Sequence, residues 1–169
     1  MSDRQLLPAW YVLHTRSRFE AVVQEGLSKK SHEVFLPRVR VRSRRRDRVV
    51  LLDVPLFPGY VFVRSDLHPH RHLDILKTAG VVRMIGNKDG PIPVPPEAVD
   101  SLRIMVQSGA PIATGTRFRR GDLVMVVNGP FTGVTGHFVR YRNADRVLVR
   151  IEALGQFAAV EVDAADVER

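Results

Sequence analysis

Apolar positions change their spacing several times along this chain, and each change predicts a different element. Aromatic and β-branched residues run together over 10–14, which reads as a short strand. Ser17 then stands three residues before Glu20, the spacing of a capping box, and Phe19, Val22, Val23 and Leu27 share one face of the helix that it would open. Gly26 interrupts that helix at a cost of about 1 kcal/mol against alanine, so tertiary packing must support it. Over 33–42 the period falls to two, Val34, Leu36, Val39 and Val41 interleaving with Arg38, Arg40 and Arg42. Residues 49–54 form a returning strand. After the Pro58-Gly59 turn, 60–64 form another, and Leu73 and Leu76 mark a short helix that stops at Gly80. Residues 81–85 close the sheet. A last helix begins at Pro95 or Pro96, carries Val99, Leu102 and Val106 on one face and ends at Gly109. The alternation predicts an α+β unit, an antiparallel sheet flanked by helices.

Beyond residue 107 the periodic hydrophobics give way to Ser, Gly, Ala, Pro and Thr, and 108–116 read as a flexible linker between a domain at 1–107 and another at 117–169. The second domain predicts only short strands, at 122–127, 135–141, 146–151 and 158–162. Asn128-Gly129-Pro130, Asn143-Ala144-Asp145 and Leu154-Gly155-Gln156 separate them. Val124, Val126, Val127, Val134, Val139, Val147, Val149, Val160 and Val162 are stiff in helices and at home on strands. With Gly129, Pro130, Gly133 and Gly136 in its first half, this segment has no stable helical alternative and suits a small SH3-like barrel.

Composition narrows the function. The 169 residues carry 26 Lys and Arg against 18 Asp and Glu, a formal net charge of +8, and 22 of those cations are arginine. An excess of this kind favours an anionic partner, although a GC-rich genome would also raise arginine. There are no cysteines, which removes disulfides, thiolate zinc sites and cysteine nucleophiles together. The longest uncharged apolar stretch, 54–63, falls far short of the roughly 20 residues of a membrane helix. Asp3, Arg4 and only Leu6 and Leu7 at the start give no secretory signal, so a cytoplasmic protein without membrane contact, and a monomer, is expected.

Two clusters invite chemistry. Residues 38–48 hold seven arginines and one aspartate, and period-two spacing puts Arg40 and Arg42 on one face, with Arg44, Arg45 and Arg46 at the tip. A ribbon this basic either lies along phosphates or is a solvated hairpin that touches nothing, and spacing leaves both open. His68, His70 and His72 would point three imidazoles one way on a strand, but Pro69 and the helix pattern after it spoil that geometry, so no metal site is expected. Scattered carboxylates, serines without an elbow or a paired histidine, and the lack of a Gly-rich strand-to-helix loop argue against an enzyme, and no cofactor is expected.

The segment Arg120-Gly121-Asp122-x-Val124-x-Val126-Val127-x-Gly129-Pro130-Phe131-x-Gly133-x-x-Gly136 resembles the KOW motif of the NusG family of transcription elongation factors. Trp10-Tyr11-Val12-Leu13-His14-Thr15, Pro55-Leu56-Phe57-Pro58-Gly59-Tyr60-Val61-Phe62-Val63 and Gly80-Val81-Val82-Arg83 resemble its N-terminal domain, in order. Arg16-Ser17-Arg18 and the approach Val54-Pro55-Leu56-Phe57-Pro58 look more like the specialised, RfaH-like paralogues than the housekeeping factor.

The resemblance implies a non-enzymatic elongation or antitermination factor. It also implies residue roles. Tyr60 and Phe62 share a strand face, Met84 is expected to join them across the sheet, and the matching family positions grip the clamp helices of RNA polymerase. Arg71 and His72 match the region that meets the polymerase gate loop. Arg16 and Arg18 match contacts to non-template DNA, and nascent RNA is a further candidate partner. Phe131 and Leu154, on barrel loops, match the site for a ribosomal protein or termination factor, with core packing as the competing reading, stronger for Phe131. A ribosome-associated or structured-RNA-binding KOW protein is the alternative from another class, and co-purification with polymerase subunits or with ribosomal particles separates the two.

Overall fold

The computed structural model describes residues 7–169, so Asp3, Arg4 and Leu6 lie outside the described residues. The chain forms two compact units, one of residues 7–36 with Phe57–Pro95, the other of Pro37–Leu56 with Pro96–Arg169. In chain order the elements of the first half are β1 (Ala9–Thr15), α1 (Glu20–Lys29), β2 (Glu33–Phe35), β3 (Arg38–Arg45), β4 (Arg48–Pro55), β5 (Tyr60–Ser65), α2 (Pro69–Leu76) and β6 (Val81–Met84). They are followed by the two-residue pair β7 (Gly86–Asn87) and β8 (Gly90–Pro91), then α3 (Pro96–Gln107), β9 (Ala113–Gly115), β10 (Asp122–Val126), β11 (Thr135–Tyr141), β12 (Ala144–Ile151), β13 (Gln156–Val162) and β14 (Val167–Glu168). No helix among the described residues is long and apolar enough to cross a membrane.

The first unit is a four-stranded antiparallel sheet in the order β2-β5-β1-β6. Alternate residues of its strands, Leu13, Val61, Val63 and Met84, pack with Val23 and Leu27 of α1 and Ile75 of α2 in one buried cluster. The expected capping box does not form. Arg18 is in the left-handed region at φ 65° and α1 starts only at Glu20, with Phe19 as a cap that supplies no side-chain hydrogen bond. Glu20 is buried and turns to another task, its Oε1 accepting from the Gly59 N–H at 2.9 Å. Gly26 has a packing reason, because a Cβ there would stand 2.9 Å from Thr78 Cγ2. On α2 the expected apolar face is turned outward: Leu73 and Leu76 are exposed and Ile75 is the buried residue.

The stretch 33–42, expected as one strand, is two. Pro37, which has no N–H to give a ladder, separates β2 in the sheet from β3, which pairs with β4 as a hairpin of the second unit. Apart from α3, the rest of that unit is an all-β barrel of six strands in the order β14-β10-β11-β12-β13-β9. Its strands bury Val124, Val126, Val147, Val149, Ile151 and Val160 on one face and Val139, Leu148 and Ala159 on the other, the latter under Phe118 and Phe157. Gly136 is dictated by close approach, since a Cβ there would strike the Leu148 carbonyl oxygen. α3 packs on β11 and β12, where Ser101 Oγ accepts from the Thr135 N–H at 3.0 Å. Ala113–Gly115, read from the sequence as linker, pair with Phe157, Ala158 and Ala159 as an edge strand.

Candidate functional site

Antiparallel register decides which expected site residues meet. In the sheet of the first unit Val12 lies opposite Phe62, His14 opposite Tyr60, and Phe35 opposite Phe62. These side chains therefore share the face away from the α1 and α2 cluster. Phe62 is fully buried, with the rings of Phe35 and Phe57 at 5.8 and 6.5 Å. Tyr60 is half-buried and its ring lies 5.4 Å from that of His14. Met84 corrects the expectation that it joins them. It is paired with Leu13, which is itself opposite Val61, and so belongs to the helix-covered face. Sequence reading missed His14 and Phe35 as members of the aromatic face; period two supplied the parity, but only the strand pairing supplies the neighbours.

Arg16 and Arg18 are both exposed in the turn that leads into α1. The turn is fixed from the backbone: the Arg16 N–H donates to the Gly80 carbonyl at 2.8 Å and the Phe19 N–H to the Arg16 carbonyl at 3.0 Å. Two exposed guanidinium groups thus flank a helix N-terminus, a combination that suits an anion. Arg71, in the first turn of α2, is exposed and ion-paired with Asp66, while His72 is half-buried. His68 is the cap of α2, its ring nitrogen accepting from the His70 N–H at 3.4 Å, and the two rings stack at 5.4 Å.

The hairpin is the most basic element. Arg38, Arg40, Arg42 and Arg44 of β3 share a face with Val49, Leu51 and Asp53 of β4, and Arg40 Nε is 3.4 Å from Asp53 Oδ1. Val49 and Leu51 are exposed beside these arginines. The other face carries Val39, Val50, Leu52 and Val54, all half-buried, with Val41 more open. At the tip Arg46 takes a left-handed φ of 55°, and Arg45 lies directly opposite Arg48. Like charges facing across a ladder destabilise it. A tip that holds Arg44, Arg45, Arg46 and Arg48 around the single Asp47 concentrates positive potential where backbone pairing alone must carry it.

The two barrel loop residues separate. Phe131 is buried under its turn, where the Val134 N–H donates to its carbonyl at 3.0 Å, so it is core. Leu154 is half-buried in the 3-10 turn Glu152–Leu154.

An α+β unit with an aromatic sheet face, a basic hairpin and a small KOW-type barrel defines a class of protein, and the comparisons give that class its family. The family model "Transcription termination factor nusG" matches residues 8–103. The chain is 28% identical over 173 residues to the transcription termination/antitermination protein NusG of Pseudomonas aeruginosa, covering 95% of this chain and 97% of that one. It is 28% identical over 178 residues to the NusG of Thermus thermophilus, covering 94% and 96%. A solved structure described as domain interaction in Thermotoga maritima NusG shares the fold with a TM-score of 0.55 at 23% identity, over 96% of this chain and 97% of that one. The chain belongs to the NusG family.

Proposed function

We propose that this protein is a transcription elongation and antitermination factor that binds RNA polymerase through the aromatic face of β5, of the specialised, RfaH-like kind. The carrying observation is Tyr60, half-exposed beside His14 on the sheet face opposite the α1 and α2 core, inside the span of the family match. Binding that favours the closed, elongating polymerase over the paused one suppresses pausing, since a ligand stabilises the state it binds better. Arg16 and Arg18 contact the non-template DNA strand, and the hairpin arginines lie along nucleic-acid phosphates. Arg71 and His72 meet the opposite side of the polymerase cleft, which requires Arg71 to exchange Asp66 for a new partner. The segment 117–169 recruits a ribosomal protein or termination factor through Leu154, and 108–116 join it functionally to the first domain. Phe62, Phe131 and Met84, all buried, are left out of these contacts.

Tyr60→Ala is the informative variant. Phe62→Ala empties a fully buried site, which costs about 3–5 kcal/mol and confounds any binding loss with unfolding. With purified core RNA polymerase, Tyr60→Ala is expected to weaken binding roughly tenfold or more, in line with truncation of an aromatic anchor, at unchanged circular dichroism. Unchanged affinity, or co-purification with ribosomal particles in place of polymerase, would refute the proposal.

A further inference from the structure

Glu20 is buried where a first-turn acid ordinarily faces water and complements the positive end of its helix. Only 8% of it is exposed, and its Oε1 accepts from the Gly59 N–H at 2.9 Å, across 39 residues of sequence. The donor has a particular setting. Phe57, Pro58, Gly59 and Tyr60 form a β-turn closed by the Tyr60 N–H, which donates to the Phe57 carbonyl at 3.2 Å, and Gly59 takes φ 88° at the third position. Proline second and a positive φ third are the marks of a type II turn. The amide between those two residues points away from the turn and has no acceptor inside it. Next to the buried Leu56 and Phe57, that N–H needs a partner from elsewhere in the fold. Glu20 is that partner, and the Gly59 carbonyl is taken by the Thr15 N–H at 2.8 Å.

The consequence falls on Tyr60. It makes the last pair of the ladder between β1 and β5, opposite His14, and the ends of ladders fray unless something beyond them is fixed. Beyond this end lies the Pro58-Gly59 turn. With both polar groups of Gly59 engaged and the Tyr60 N–H committed to Phe57, the backbone that carries the Tyr60 side chain is held, and its ring rests 5.4 Å from that of His14. A half-exposed aromatic side chain that is already in place loses less freedom on binding than one that must be ordered. Thr15 and Glu20 also bracket the turn that presents Arg16 and Arg18, so a single glycine sets that basic turn in register with the aromatic face.

We infer that Glu20 is a positioning residue of the polymerase-binding face: its hydrogen bond from the Gly59 N–H fixes the Pro58-Gly59 turn and, through it, the pose of Tyr60. The inference rests on the reading of Tyr60 as the polymerase anchor. Reach is the property that matters, and charge is not. Glutamine has the length of glutamate and an amide oxygen that accepts the same bond. Aspartate keeps the charge at the helix start but is one methylene too short.

The test sets Glu20→Gln against Glu20→Asp in the full chain, with purified core RNA polymerase as the probe and circular dichroism as the check of folding. Glu20→Gln is expected to bind within about twofold of the wild type, and Glu20→Asp about three- to tenfold more weakly, no more than the loss on Tyr60→Ala. In a Tyr60→Ala background, Glu20→Asp is expected to add less than about twofold, because effects that act through one contact do not add. In the free protein the Gly59 amide is expected to exchange slowly in the wild type and in Glu20→Gln. In Glu20→Asp it exchanges faster, with weaker proton contacts between the Tyr60 and His14 rings. The reverse order, with Glu20→Asp binding normally and Glu20→Gln weakly, would make Glu20 a helix-end charge and overturn the inference. Equal affinity of both variants and the wild type, with binding lost in Tyr60→Ala, would also overturn it while leaving the polymerase reading in place. Wild-type affinity of Tyr60→Ala would remove that reading and the inference together. If Glu20→Asp does not fold, Glu20→Gln decides alone: weak binding by that variant, folded, overturns the inference, and normal binding with a slowly exchanging Gly59 amide supports it.

Discussion

His32 and Asp74 tie the end of α1 to α2 through one short contact. The ring Nε2 lies 2.7 Å from Asp74 Oδ2, and Lys30 Nζ is 3.3 Å from the other carboxylate oxygen. The hydrogen bond from His32 holds the Asp74 carboxyl below its ordinary value of 3.8; partial desolvation opposes this, and the Lys30 ammonium adds to it. A carboxyl whose folded value lies below its unfolded one adds stability that is present above about pH 4 and is lost as pH falls through the folded value. Asp74→Asn is therefore expected to lower the urea midpoint at pH 6, with the gap to the wild type closing on acidification below pH 4. A gap that stays constant from pH 6 to pH 2.5 would show that the carboxylate charge contributes nothing.

At the scale of the element, Gly26 shows a packing constraint that overrides helix propensity. Alanine would gain about 1 kcal/mol in an isolated helix, but its Cβ would press on Thr78 Cγ2 at 2.9 Å. Thr78 cannot turn aside freely, because it is buried and its hydroxyl donates to the Asp74 carbonyl at 3.1 Å and accepts from Lys30 at 3.2 Å. Gly26→Ala is thus expected to destabilise by about 1–3 kcal/mol, as overpacking does. In a Thr78→Ser background, where the methyl is gone, the same change is expected to be neutral or stabilising, and denaturant melts of the four proteins give the cycle. The sequence announced that this helix needed support without saying from where, and the same divide runs through the fold. The barrel was legible because valine-dense runs and Gly-Pro turns permit little else. Tyr60 and Phe62 were legible as face-mates because strand parity is local. Met84 was not, since its face depends on pairing with Leu13 through a strand distant in sequence. Nor was the outward turn of Leu73 and Leu76, because an eight-residue helix carries too few turns for its apolar stripe to identify the buried side.

For the whole molecule, charge is the organising quantity. The segment 1–110 carries a net +7 and 111–169 a net +1, and the eleven residues 38–48 alone contribute +6. Most of the excess therefore sits on one two-stranded hairpin, an architecture of marginal stability by itself, with Arg45 set against Arg48 at its tip. Such a placement makes that element the dominant electrostatic handle for a polyanion, because condensed counterions released from each neutralised phosphate drive the binding. Replacing Arg44, Arg45 and Arg46 with serine is expected to lower the slope of log affinity against log salt for duplex DNA by about 2 to 3, at about 0.9 per phosphate. The loss should be uniform across sequences, since phosphate contacts carry no base information. Titrations of the wild type and the variant with two unrelated duplexes at several salt concentrations measure both quantities. An unaltered slope would make the hairpin a solvated ribbon, and a loss confined to one duplex would place base-reading groups among these arginines.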